Sequence, residues 1–405
     1  MRIGILTFYK VANFGANLQG VSTYYYLKNH GHCPVFIDYQ SEFTEKEWQK
    51  KSETPQGRAH KEFVNKFIST QTPLCHNEME MERVVRDFQL DGVIIGSDAV
   101  LQHHPFITRI ERGQRKPFRL SRPRPESIFP NMFWGGSLAE RIPFAMMSVS
   151  SQGSLYKFFT SKTKRQMSDA LLKMKYISVR DTWTQDMIRD VNSSIVTSIT
   201  PDPVFAFNGN LKDIIPSKNE ILEKFHLPER YILVSLFSQS VTIDRLVALK
   251  DMLMTKGYSC VALPMPHGYS FEHPFSLSIP IPLSPLDWYA LIKHSSGYVG
   301  SNMHPIVVAL HNTVPCFSLD NWGNSCLFNF GRNDSSSKIY HILGTYDLLD
   351  YRVEIKNGKC NFDVENIVEK ILNFPYDKVR QISTQKYNEY CSMMDSIMDS
   401  LIEKQ

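Results

Sequence analysis

The chain lacks most of the marks that announce a function at first sight. Its seven cysteines, Cys33, Cys75, Cys260, Cys316, Cys326, Cys360 and Cys391, form no Cys-x-x-Cys pair. Their odd number and wide scatter speak against a disulfide framework or a zinc site, and for reduced thiols in a cytoplasmic protein. No Gly-x-Gly-x-x-Gly is present, so the glycines do not point to a dinucleotide. No unit of about 20 to 50 residues repeats, which removes solenoid architectures. Residues 295–319 contain no Asp, Glu, Lys or Arg, but Asn302, His304, Pro305, His311, Asn312 and Pro315 interrupt them too often for a membrane-spanning helix. The apolar run over residues 3–8 is too brief for a secretion signal. A formal charge of +4 over 405 residues is small: it gives no argument for nucleic acid and suits an anionic substrate.

What remains is an ordinary soluble globular composition, 42% apolar and 21% charged, able to fold without metals or disulfides. The length calls for two domains or three. Residues 1–8 read as a buried strand opening a parallel sheet. Asn13-Phe14-Gly15-Ala16-Asn17-Leu18-Gln19 follows, then a helix to residue 29 in which Leu18, Val21, Tyr25 and Leu27 recur at near-helical spacing. Gly31 caps it and residues 34–39 form a second strand. The right-handed crossover of this unit puts its loop at the carboxyl edge of the sheet, where ligands bind.

Residues 41–89 are charged and helical, with Phe63, Phe67 and Ile68 as apolar contacts to the sheet. Residues 90–98 give a central strand ending in Gly96-Ser97-Asp98, whose carboxylate suits either a hydroxyl-rich ligand or a helix cap. Strand 142–149, helix 163–174, strand 176–181 and helix 182–191 continue the alternation. Arg180, at a strand end, is suited to bidentate capture of a carboxylate or phosphate. Residues 103–136 break the pattern: Arg109, Arg112, Arg115, Lys116, Arg119, Arg122 and Arg124 meet only Glu111 and Glu126, and Phe129-Pro130-Asn131-Met132-Phe133-Trp134 follows. This is expected to be a long surface loop, either a solvated flap or a basic, aromatic contact, through 109–134, with an anionic membrane face.

The alternation resumes after a connector at 208–230: strand 231–237, helix 245–256, strand 258–263, a proline-rich loop, helix 286–294. Next comes Tyr298-Val299-Gly300-Ser301-Asn302-Met303-His304-Pro305, then an apolar helix and a strand around Cys316. Gly300 permits a sharp exit from the strand, and Pro305 fits a first helical turn. His304 then lies at a helix N-terminus, where open N–H groups and the dipole receive an anion and a histidine can move a proton. Ser-x-x-His ahead of an apolar helix also arises by chance, so the motif gains weight only from the rest of the chain. His311 faces the helix's buried side and reads as a core histidine; His103 and His104 are left unassigned. The fold class expected is α/β: two doubly wound domains, 1–207 and 231–361, facing each other across a cleft, with a helical segment over 362–405 that returns to the first domain.

The opening strand with Asn13-Phe14-Gly15-Ala16-Asn17-Leu18-Gln19, the Ile95-Gly96-Ser97-Asp98 turn, Ile177-Ser178-Val179-Arg180-Asp181, Asp202-Pro203 and the Ser-x-x-His together resemble the polysaccharide pyruvyl transferase family. The likeness runs from residue 1 to about 320. It implies two Rossmann-like domains arranged as in GT-B glycosyltransferases. It also implies transfer of a pyruvyl group from phosphoenolpyruvate to two hydroxyls of a sugar, giving a pyruvate ketal and phosphate. His304 matches the family's catalytic histidine and Arg180 its arginine for the donor. The chain departs from the pattern at Pro305, where a glycine is common, at Asn17, where a small or apolar residue is common, and over 103–136.

The donor is expected on the second domain and the saccharide acceptor, polyprenyl-diphosphate-linked, on the first. Asn13, Gly15, Asn17, Gln19, Ser97 and Asp98 would bind substrate on the acceptor side, with caps and loop anchors as their alternative roles; Ser301 and Asn302 join them beside His304. The chemistry requires a general acid and cationic clamps, with no cofactor and no metal. A nucleotide-sugar glycosyltransferase and a non-catalytic carbohydrate-binding relative are the competing readings.

Overall fold

The computed structural model describes residues 1–111, 119–152, 154–237, 241–265, 267–320, 337–355, 360 and 362–402. The first sheet is built of β1 (Arg2–Leu6), β2 (Cys33–Phe36), β3 (Gly92–Asp98), β4 (Phe144–Val149), β5 (Tyr176–Val179) and β6 (Ser198–Ile199), in the order β2-β1-β3-β4-β5-β6. The second is built of β7 (Tyr231–Ser235), β8 (Ser259–Ala262), β9 (Leu277–Ser278), β10 (Gly297–Gly300), β11 (Cys316–Asp320) and β12 (Arg352–Glu354), in the order β9-β8-β7-β10-β11-β12. Every pairing in both sheets is parallel. The central strands are buried from end to end, Tyr-Ile-Leu-Val-Ser in β7 and Phe-Ala-Met-Met-Ser-Val in β4, as both faces of a parallel sheet demand.

In each sheet the strand order reverses once, between β1 and β3 in the first and between β7 and β10 in the second. A crevice opens at such a switch point outside the carboxyl ends of the strands. β10 leads into the helix Met303–His311, and β1 leads through a loop into the helix Phe14–Asn29. The latter is buried on nearly every side from Phe14 to Thr23, because it lies between the first sheet and the helix Pro285–Lys293 of the second half. Phe14 stacks on Trp288 with ring centroids 5.0 Å apart. Gln56 latches the halves from a second point, donating to Leu283 O and accepting from Leu283 N, each at 2.8 Å. One apolar core therefore runs from Ile3 and Ile5 through Phe14 to Tyr231 and Tyr298; a second covers the outer face of the first sheet.

The 208–230 stretch holds two short helices, Phe207–Leu211 and Lys218–Phe225. The long helix Tyr376–Ile402 packs back on β4, and Met393 Sδ receives the Ser148 and Ser178 hydroxyls. The six cysteines among the described residues are free thiols; Cys326 lies outside them.

The basic insertion differs from a solvated flap. Glu126 is buried, accepting from Ser41 N at 2.6 Å and Thr44 Oγ1 at 2.8 Å. Phe133 packs edge-on to Phe8 and Tyr39, and Met132, Phe133 and Trp134 are all buried. These side chains complete the core, so within the 109–134 contact expected with a membrane Met132, Phe133 and Trp134 are corrected: burial takes them out of reach of any bilayer. Arg112, Arg115 and Lys116 lie outside the described residues. Among the described residues no helix is long and apolar enough to cross a membrane.

Candidate active site

The two switch points face one another across a cleft of about 600 Å³. Asn13, Gly15, Glu47, Trp48, Asp98 and Arg124 line it from the first half, and His267, Trp288, Asn302, His304 and Lys338 from the second. His304 stands in the first turn of its helix, behind the cap Asn302 and ahead of Pro305. Its ring lies flat on the opposing helix N-terminus: a Cβ added to Gly15 would fall 2.1 Å from His304 Cγ. Gly15 is thus required as the space that admits the ring. Gly300 has a steric reason too, since a Cβ there would meet Tyr298 Oη at 2.1 Å and Ser235 O at 2.6 Å.

Arg180 is fully buried under the cleft, away from its lining. Its Nη1 donates to Asp202 Oδ2 at 2.8 Å, and its Nη2 is 4.0 Å from Asp98 Oδ1. Nε and Nη2 have no hydrogen-bond partner among the described residues, which leaves part of the guanidinium fork uncommitted. Asp202 also accepts from Gln19 Nε2 at 2.5 Å and Val204 N at 2.9 Å. Burial alone would raise the Asp202 carboxyl, but the Arg180 guanidinium, His304 and the Val204 N–H hold it below the ordinary carboxylate value.

Burial is the largest influence on His304. With Arg180 and Lys338 it pulls the imidazole down to about 4, against the opposing pull of Asp202 and Asp98. The ring is therefore neutral near pH 7, with desolvation as the main cause. His304 Nε2 has no hydrogen-bond partner among the described residues.

The remaining candidates divide. Asn13 caps its helix through Oδ1 to Ala16 N and lines the cleft; Asp98 lines it too, held at a φ of +91° that residues with a Cβ rarely adopt. Asn302 lines it while donating to Met265 Sδ at 2.9 Å. Asn17, Gln19, Ser97 and Ser301 are buried and line no part of it. Asn17 donates to Tyr9 O and Val11 O and contacts His60 Nδ1 at 2.6 Å, fixing the loop ahead of the helix. Ser97 donates to Ser148 O. His311 is a core histidine: burial pulls it to about 3 and its Nε2 meets Tyr289 Oη at 2.5 Å. Among the described residues no group of His, Cys, Asp and Glu could hold a metal ion.

Two cleft residues, Lys338 and Trp48, and the buried Asp202 beneath them carry no functional signal in the sequence. Lys338 follows residues 321–336, which show no strand-and-turn pattern. Trp48 sits in a charged helix that reads as mere packing, and Asp202 is visible only as part of Asp202-Pro203.

Comparison with solved structures shows the fold. A UDP-GlcNAc 2-epimerase from Neisseria meningitidis, bound to UDP-GlcNAc, is similar at a TM-score of 0.54 and 11% identity, over 98% of this chain and 100% of that one. Another UDP-N-acetylglucosamine 2-epimerase gives 0.55 and 10%, over 99% and 95%. A putative one from Listeria monocytogenes gives 0.50 and 10%, over 96% and 91%. These are GT-B-like two-domain α/β folds. A search of curated sequences finds no significant match. The family model described as polysaccharide pyruvyl transferase matches residues 13–323, well over half of the sequence, from the loop ahead of Gly15 to just past β11. With Asn13, Asp98, Arg180 and His304 all inside that match, the chain belongs to the polysaccharide pyruvyl transferase family.

Proposed function

We propose that the protein transfers a pyruvyl group from phosphoenolpyruvate to two hydroxyls of a hexose in a lipid-linked polysaccharide precursor, forming a cyclic ketal and releasing phosphate. The observation that carries this reading is His304: neutral through burial, at a helix N-terminus, with a free Nε2, beside the Arg180–Asp202 pair. A donor bearing several negative charges raises the imidazole pKa on arrival, so the acid is charged when the substrate is present. The proton count closes on one residue. His304 protonates the methylene carbon, which becomes methyl, and the first hydroxyl attacks the adjacent carbon and returns its proton to His304. That proton leaves with phosphate as the carbon–oxygen bond breaks. The second hydroxyl then closes the ketal and recharges His304.

Arg180, beneath the cleft and not on its lining, favours the donor anion as a buried positive charge whose Nε and Nη2 are uncommitted among the described residues. Asn13 and Asp98, which line the cleft, bind acceptor hydroxyls. Donor and acceptor chemistry need no cofactor in this scheme. The test is phosphate release from phosphoenolpyruvate with a panel of lipid-linked acceptors, alongside calorimetry of phosphoenolpyruvate and of nucleotide sugars. His304→Asn should keep donor binding and lose about 10² to 10⁴ in turnover. Binding of a nucleotide sugar in place of phosphoenolpyruvate would favour a glycosyltransferase, the reading that the fold shared with the UDP-GlcNAc-bound epimerase keeps in play.

The protein meets the membrane face that bears such acceptors through Phe106, Ile107 and Leu120, which are exposed beside Arg109 and Arg122 in the insertion. Co-sedimentation with anionic vesicles should fall when Phe106 and Leu120 are both made Ser; equal sedimentation would remove the contact.

A further inference from the structure

Three helix N-termini converge on the cleft, those of Phe14–Asn29, Met303–His311 and Lys338–Thr345. The third is anchored by Asp320 at the end of β11, whose Oδ2 accepts from Ser337 Oγ and from Arg352 Nε, each at 2.6 Å. Ser337 in turn caps the helix by accepting from Tyr340 N at 3.1 Å. The first helical residue, Lys338, is thereby held at the carboxyl edge, one strand along from His304.

The cations of the cleft are not equivalent. Lys10 is paired with Asp38 at 2.5 Å and Arg124 with Glu47 at 3.1 Å. Lys51 is largely in water. Lys338 is half-buried and, among the described residues, has no carboxylate within ion-pair distance. A desolvated ammonium without a partner is costly unless a ligand supplies the missing charge. Its compact point charge suits phosphate, whereas the planar fork of Arg180 suits a carboxylate.

We propose that Lys338 binds the phosphate group of the anionic donor, so that the donor lies with phosphate toward Lys338 and carboxylate toward the cleft floor above the buried Arg180. This rests on the pyruvyl-transfer reading and adds to it the donor's orientation. The groups around the ammonium are Arg180, Asp98, Asp181, Asp202 and His304. Burial and then Arg180 pull Lys338 down to about 8, with the three carboxylates pulling the other way. The free protein carries the charge below that pH and loses it above. The donor phosphate is fully ionised there, its second pKa being about 6. Donor affinity therefore falls as pH rises through about 8.

The experiment is calorimetric binding of phosphoenolpyruvate, inorganic phosphate and pyruvate across pH 7 to 10, for the unsubstituted protein, Lys338→Met and Lys338→Arg, with melting curves to confirm folding. Lys338→Met should weaken phosphoenolpyruvate and phosphate about tenfold or more and leave pyruvate unchanged. Lys338→Arg, charged throughout, should keep the affinity and abolish its alkaline fall. Equal phosphate affinity in all three proteins, or loss of pyruvate binding instead, would overturn the assignment while leaving the transferase reading intact. No binding of phosphoenolpyruvate by the unsubstituted protein would overturn that reading, and this assignment with it.

Discussion

At their carboxyl edges the two sheets present matching features, the helix N-terminus at Asn13-Phe14 on one side and at Asn302-Met303 on the other, yet the walls built around them differ in charge. The first wall carries Glu47 and Asp98, and of its cations Lys10 and Arg124 are already paired while Lys51 stands largely in water. Among the described residues lining the second wall there is no carboxylate; His267, His304 and Lys338 stand with two helix N-termini, the one behind Asn302 without a side-chain cap and the one at Lys338 capped by Ser337. Carboxylates and carboxamides suit hydroxyls, whereas uncompensated positive potential suits a multiply charged anion. One architecture used twice thus gives an acceptor face and a donor face, and the reaction occurs where they touch.

Of the points where they meet, two bear on His304, and each can be broken. The larger effect is expected at Asp202, the carboxylate that holds Arg180 from the first half and bears electrostatically on His304 from the second. Asp202→Asn leaves the buried guanidinium with Asp98 at 4.0 Å as its nearest remaining counter-charge. Breaking a buried pair costs about 3 to 5 kcal/mol, and the surviving carboxylates should keep the loss near the lower figure. Urea unfolding measures it. The His304 imidazole, already at about 4, should titrate lower still once a charge that raises it is gone. A loss under about 1 kcal/mol would mean that Asp98 and Asp181 hold Arg180 unaided, and the two walls would then be coupled elsewhere.

How far the sequence discloses this depends on the kind of feature. Buried parallel strands announce themselves as apolar runs, which is why β3, β4, β7 and β10 were legible within a few residues, and the helix Thr182–Val191 to the residue. His304 was legible because strand, polar loop and apolar helix adjoin in sequence. Arg180 was legible as a residue at a strand end, but its position under the cleft was not. Which way a strand-end side chain turns depends on Asp202, its partner, and on Gln19, which is distant in sequence and holds that carboxylate in place. The insertion misled for a related reason. Met132-Phe133-Trp134 has no period that separates a core plug from an exposed patch, and only the contacts with Phe8 and Tyr39 decide. Lys338 had no local signal, since a lysine at a helix start is normally solvated.

The second point of contact is Gly15, and its replacement sharpens the comparison by moving one wall against the other while removing no functional group. An alanine methyl would sit within 2.3 Å of His304 Cγ, Nδ1 and Cδ2, closer than any van der Waals contact allows. The Phe14–Asn29 helix cannot retreat, because it is buried on nearly all sides and Phe14 is stacked on Trp288. The ring must therefore turn away, carrying Nε2 off the position from which it reaches the donor. A displacement of about 1 Å in a reacting group costs on the order of a hundredfold in rate. Gly15→Ala should accordingly lower kcat about a hundredfold in the phosphate-release assay, with phosphoenolpyruvate affinity, set by Lys338 and Arg180, nearly unchanged. The protein should still fold, since the strain is relieved into the open cleft. Unaltered kcat would mean that the ring has room to work from a second rotamer, and that the close approach of the two helix ends serves packing alone.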